Sequence, residues 1–160
     1  MNSVDEHTIQ VLRRLVEVCR ETCDGLNTAA ERLEALGLRD LFLRYAAERA
    51  VYSGELRAQI FALGGNGDKS AGFGAWLHRG LVHFTTTAVL QDPAALLNRG
   101  ERGEQAAVEA YHAPLPPALD PGTRALIRRQ ARGGAASHRC MKLLRDSVLA
   151  EESASPSPAL

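Results

Sequence analysis

The sequence predicts an all-α chain folded as a four-helix bundle, built from two antiparallel hairpins joined by a crossover helix. Three observations carry this. Apolar residues recur at steps of three and four along almost the whole chain. Glycine and proline fall in short clusters between the periodic stretches. No stretch alternates apolar and polar residues as a half-buried strand does. At 160 residues, with 45% hydrophobic and 24% charged, the chain has the size and make-up of one globular domain. It can bury roughly 70% of its unfolded surface without a disulfide or metal staple.

The first helix starts near Ser3, an N-cap candidate with Glu6 three residues on. Its apolar line is Leu12, Val16, Cys19, Cys23, Leu26, Ala30 and Leu33, and Gly37 is its expected end. The second runs from about Leu38 to Leu63 along Leu38, Phe42, Tyr45, Arg49, Tyr52, Leu56, Gln59 and Leu63, and stops at Gly64-Gly65. A shorter helix is expected over about 75–90, roughly 24 Å long at ~1.5 Å per residue. Asp92-Pro93 then reads as an N-cap with proline at the first helical position. That helix follows Leu97, Gly100 or Glu101, Glu104, Val108 and Tyr111, and Pro114, Pro116 and Pro117 end it. Asp120-Pro121 opens the last helix, along Ile127, Gln130, Gly134, His138, Met141, Arg145 and Val148. The bundle domain is expected over 1–150. Residues 151–160, rich in Ser, Pro and Ala, read as a disordered tail. Two tight hairpins joined by one long crossover describe the ferritin-like arrangement.

Residues that break the apolar lines carry the chemistry. Arg49 lies between Tyr45 and Tyr52, Glu104 between Leu97 and Tyr111, and Gln130 and His138 on the last inner line. Counted from the expected turns, Arg49, Glu104 and Gln130 fall within one helical turn in height, with Asp24 the nearest acid on the first helix. An inward Arg and Glu at one level should pair, because an unpaired buried charge is very costly. The expectation is a polar layer of Arg49, Glu104, Gln130, His138 and Asp24. The alternative keeps Arg49 and Glu104 at the rim, snorkelling to water.

A di-iron or manganese centre is the competing chemistry. Such bundles draw one Glu from each of two helices and a Glu-x-x-His pair from each of the others. That spacing occurs here as Glu109 and His112, off the inner line at a helix end, which favours a surface pair. Glu48 and Glu55 have Val51 and Ala58 three residues on, and His138 has Ala135 three residues back. Glu31, Glu55, Glu104 and His138 remain as weak metal candidates. A buried Arg supplies the positive charge a metal would supply, so the two readings compete. Cys19 and Cys23 share a helix face and read as small core residues.

The net charge of zero argues against a nucleic-acid coat. The last helix is locally basic, with seven Lys or Arg against one Asp over 121–150, which keeps an anionic-surface binding module as a further alternative. No window approaches the ~18 apolar residues of a membrane span. The polar start from Met1 to Glu6 and the odd count of three cysteines suit a cytoplasmic chain with reduced thiols. Long amphipathic helices suggest a homodimer or a protein partner. No catalytic triad spacing or phosphate loop is present, so no catalytic residue is expected.

The stretches AAERL, LFLRYAAERAVYSGEL, LGG, GAWLHRGL and ERGEQAAVEAY, then LIRRQ followed by His138, occur in order within about Asp5 to Asp146. Together they resemble a bacterial domain-of-unknown-function family of the ferritin-like superfamily. The resemblance implies a four-helix bundle with a crossover helix and no established activity. The matching positions are Glu31, Tyr45, Arg49, Glu55, Glu104, Tyr111, Gln130 and His138. The chain departs from the family at Gly133-Gly134, where longer side chains are usual, and each glycine costs a helix about 1 kcal/mol against Ala.

Overall fold

The structure is a computed structural model and describes residues 3–66 and 92–154. Within them lie four α-helices and no strand: α1 (Ser3–Ala30), α2 (Leu36–Ala62), α3 (Pro93–Tyr111) and α4 (Pro121–Ala154). The expected helix at 75–90 lies outside the described residues. So do residues 155–160 of the expected tail, while α4 continues to Ala154 and takes in the tail's first four residues.

The helix ends follow from local chemistry. α2 closes with Gly64 at φ +79, where the Gly65 N–H reaches Ile60 O at 2.9 Å and the Gly64 N–H reaches Phe61 O at 3.0 Å. Only glycine takes that left-handed φ cheaply, and the two bonds satisfy carbonyls the helix end leaves open. Asp92 Oδ1 accepts from Ala94 N at 3.1 Å, and Asp120 Oδ1 accepts from Thr123 N at 2.9 Å. Each side chain replaces a missing helical acceptor, and the proline after it needs none.

The α1–α2 turn differs from expectation. α1 stops at Ala30, and Gly37 lies inside the first turn of α2 rather than ending α1. Leu33 explains the shift. It is buried beneath Leu26, Ala30 and Phe42, so the chain reverses around it, before the glycine is reached. The tight bonds from Arg32 N to Ala29 O and from Leu33 N to Ala30 O form that reversal.

α1 packs against α2 and α3, and α4 packs against α3 and α2, which leaves α2 and α3 on one diagonal of the bundle. The core divides into two apolar halves. One joins Ile9, Leu12, Leu15 and Val16 to Leu56, Ile60, Tyr111 and Ile127. The other joins Leu26, Ala29 and Leu33 to Phe42, Ala46, Leu96, Leu97 and Met141. Arg49 and Glu104 come between the two halves on their helices.

Candidate functional site

Arg49 and Glu104 are both 0% exposed, and they meet across the diagonal. Arg49 Nε donates to Glu104 Oε1 at 3.2 Å, and Nη2 donates to Oε2 at 2.5 Å. This is the two-bond grip that a planar guanidinium makes on a carboxylate. Ser137 of α4 completes it: its Oγ accepts from Arg49 Nη2 at 2.5 Å and donates to Glu104 Oε2 at 2.6 Å. Burial opposes the charge on Arg49, but the bonds to Glu104 and their attraction more than offset it, so its pKa rises and the guanidinium stays charged. The Tyr52 ring lies 5.2 Å from Arg49 Cζ, within cation–π range, and its hydroxyl donates to Glu48 Oε1. Arg49 Nη1 alone has no hydrogen-bond partner; it faces Gly134.

A second chain of bonds runs outward from Cys19. Tyr111 donates its hydroxyl to Gln130 Oε1 at 2.7 Å, which leaves the phenol oxygen to accept from the Cys19 thiol at 3.2 Å. Gln130 Nε2 in turn donates to Glu55 Oε2 at 2.8 Å and Tyr52 O at 3.3 Å. Arg129 reaches the same Glu55 oxygen from the rim at 2.8 Å. Burial pushes the Cys19 thiol up to about 11. Burial likewise raises Tyr111, helped by the neighbouring thiol. Burial of Glu55 works to raise its pKa, but the bonds from Arg129 and Gln130 outweigh it and hold the carboxyl low.

The expected layer is therefore redrawn. Gln130 is buried, but it lies two turns along α4 from the ion pair, and Ser137 takes the expected place. Tyr111–Gln130 and Glu104–Ser137 are both symmetric about the Asp120–Pro121 bond, so the hairpin reverses there and not at Pro117. A shift of three to four residues in the centre doubles into seven in register. Asp24 is exposed and outside the layer; the α1 residue felt by Arg49 is Cys19, because the α1–α2 reversal also precedes its expected point. His138 lies on the flank, its Nε2 2.7 Å from Glu101 Oε1, with Arg145 on the other oxygen at 2.9 Å. The inner line passes through Ser137 instead. Both choices keep helical spacing, and a small serine beside Gly134 was the available signal.

The four metal candidates do not converge. Glu31 is exposed after the end of α1, Glu55 is held by Arg129 and Gln130, Glu104 by Arg49 and Ser137, and His138 by Glu101. No group of three or more His, Cys, Asp or Glu among the described residues is placed to hold an ion. The donor set does not fit a di-metal centre, because a fixed guanidinium already engages both oxygens of the central carboxylate. Glu109 accepts from Gln105 at 2.8 Å on the exposed side of α3, and His112 is exposed beyond it.

The family model described as Domain of unknown function (DUF2383) matches residues 7–115. The chain belongs to this family. No curated protein matches it. The DUF2383 match takes in Cys19, Arg49, Glu104 and Tyr111, and it stops before α4, which supplies Ser137, Gln130 and His138. Among the described residues of this DUF2383 chain, no helix is long and apolar enough to cross a membrane. Of the α4 cations, Arg124 is bound to the carbonyls of Pro116 and Pro117, Arg129 to Glu55, and Arg145 to Glu101 and Asp146.

The Cys19–Tyr111 chain sets an alkaline limit. A thiol whose folded pKa lies above its unfolded value stabilises fully below the unfolded value and loses that contribution as the pH rises. The urea midpoint should hold up to about pH 9 and fall between 9.0 and about 11. Tyr45 and Tyr52, raised by burial from 10.0 to about 12, should add to the fall at higher pH. Cys19→Ala should remove the first part of the decline. An unchanged profile in that variant would show that the thiol ionises freely in the folded chain.

Proposed function

We propose that this DUF2383 chain is a non-catalytic, ferritin-like bundle, a structural or interaction protein that works by association with itself or with a protein partner. In this reading a crossover helix over about 75–90 joins the two hairpins. The observation that supports it is the Arg49–Glu104–Ser137 cluster at the meeting of the two core halves. Its charges neutralise each other, and its carboxylate oxygens are fully engaged. The nucleophiles nearby are held neutral: burial raises both the Cys19 thiol and the Tyr111 phenol, and a thiol reacts as its thiolate. Function then belongs to the surface. Leu143 (68% exposed) and Leu149 (45%) on α4 are large apolar side chains open to a partner. Arg124, Arg129 and Arg145, three of the seven α4 cations, are engaged within the chain, which leaves fewer of them for an anionic surface.

Elemental analysis tests the reading directly. Protein purified without chelator from iron- and manganese-supplemented growth should carry neither metal in stoichiometric amount. Two equivalents of iron or manganese per chain would overturn the proposal in favour of the di-metal alternative.

A further inference from the structure

α2 is apolar on two opposite faces. Its inner line, including Phe42, Ala46, Leu56 and Ile60, is buried. An outer line runs through Leu36, Asp40, Leu43, Ala47, Ala50, Gly54, Arg57 and Phe61 in unbroken steps of four and three residues. Arg57 is partly buried, and every other member is exposed. Leu36 is 72% exposed and Phe61 57%, with Val51 at 58% beside them. Alternating steps of four and three repeat every seven residues, the seam along which two helices coil together.

The residues on the seam specify its occupant. The steps read the same from either end, so a second α2 can lie antiparallel on the first about a two-fold axis between Ala47 and Ala50. Leu36 then meets the second copy's Phe61, Asp40 its Arg57, Leu43 its Gly54 and Ala47 its Ala50, each layer occurring twice by symmetry. The sizes fit. Bulky residues meet at the two ends, Leu43 enters the gap that Gly54 leaves, and alanines in the middle let the backbones approach. The charges fit as well, because an acid meets a base in two layers. A parallel second copy would set Asp40 on Asp40 and Arg57 on Arg57, which is repulsive. An antiparallel copy slid by seven residues would leave both charges without a partner across the seam. A charged pair placed on a seam in this way fixes both orientation and register.

We propose that the outer face of α2 binds α2 of a second copy of this chain, antiparallel, with Asp40 and Arg57 pairing between chains. The inference rests on the reading that the chain works by association, and it names the partner. A missing dimer leaves association with another protein standing. Stoichiometric iron or manganese removes the reading and leaves this interface untouched, so the two tests fail separately.

Sedimentation equilibrium on the full chain should give a dimer. Asp40→Arg and Arg57→Asp each set like charges against each other in two layers, and each should weaken the dimer by about tenfold or more. The deciding measurement mixes the two variants. In the mixed pair every acid again meets a base, so two chains that self-associate poorly should form a heterodimer comparable to the wild-type dimer. Positions 40 and 57 stand about 25 Å apart along one helix at ~1.5 Å per residue, so no contact between them within a chain can produce that rescue. Gly54→Arg is a second probe. Nothing lies within 4 Å of a side chain added there, so the helicity should stay while the dimer dissociates. A chain that is monomeric at every concentration overturns the proposal and leaves the face to the same chain or to another protein. A dimer that survives Gly54→Arg also overturns it and assigns the contact to another face. So does a mixture of the two charge variants that associates no better than its parts.

Discussion

Replacing Glu104 with alanine should destabilise the folded chain by about 3–5 kcal/mol, read as a fall in the urea midpoint at unchanged slope. The size follows from what is left behind. Arg49 would keep its charge at 0% exposure, with Nε and Nη2 stripped of the carboxylate and Nη1 already unpartnered. Ser137 would lose its bond to the carboxylate as well and fall back on the Gly134 carbonyl at 3.0 Å. An exposed pair would cost under about 0.5 kcal/mol when broken, so the measurement separates the two settings cleanly. The double replacement Arg49→Met with Glu104→Leu should behave in the opposite way. It removes both charges at once and fills the space with apolar atoms, so it should leave stability unchanged or raise it by about 1–4 kcal/mol. If single and double variants lose the same amount, the pair is a net source of stability, and the desolvation argument for it fails.

The ion pair could be read from sequence because each partner interrupts an otherwise apolar line, and a buried charge has few ways to be tolerated. Helix ends were readable at Gly64, Asp92 and Asp120 for a similar reason: the chemistry there is local, one side chain or one φ angle. Height along the bundle was not readable to the same precision. It depends on where each hairpin reverses, and that is decided by burial of residues such as Leu33 and Leu119 rather than by the nearest glycine or proline. An error in the reversal point doubles across the hairpin. It moved Gln130 away from the ion pair, brought Ser137 to it, and set Cys19 in the place expected of Asp24. The bonds from Tyr111 to Cys19 and Gln130 join α3 to α1 and α4, and no spacing within one helix announces them. Tyr52 and Glu48 are four apart, but their contact with Gly133 depends on how closely α2 and α4 approach.

That approach makes the adjacent glycines of α4 a sharp test, because alanine at each should act with opposite sign. α4 runs unbroken through Gly133 and Gly134, so both carry the usual helical penalty, and alanine should recover up to about 1 kcal/mol where there is room for it. At Gly134 there is room: an added methyl would sit 3.8 Å from Arg49 Nη2 and 3.9 Å from Nη1, ordinary contact distances. Gly134→Ala should therefore stabilise. At Gly133 the methyl would overlap Tyr52 Oη and stand 2.8 Å from Glu48 Oε1. A phenol cannot bend aside as a lysine tip can. The ring would have to swing as a unit, losing its bond to Glu48 and its place over the guanidinium, at a cost of about 1–3 kcal/mol after the helical gain. Thermal midpoints of the two single variants should move apart in opposite directions. Equal stabilisation by both would mean that Tyr52 leaves its place at little cost, and that the ring contributes nothing to holding Arg49 in the core.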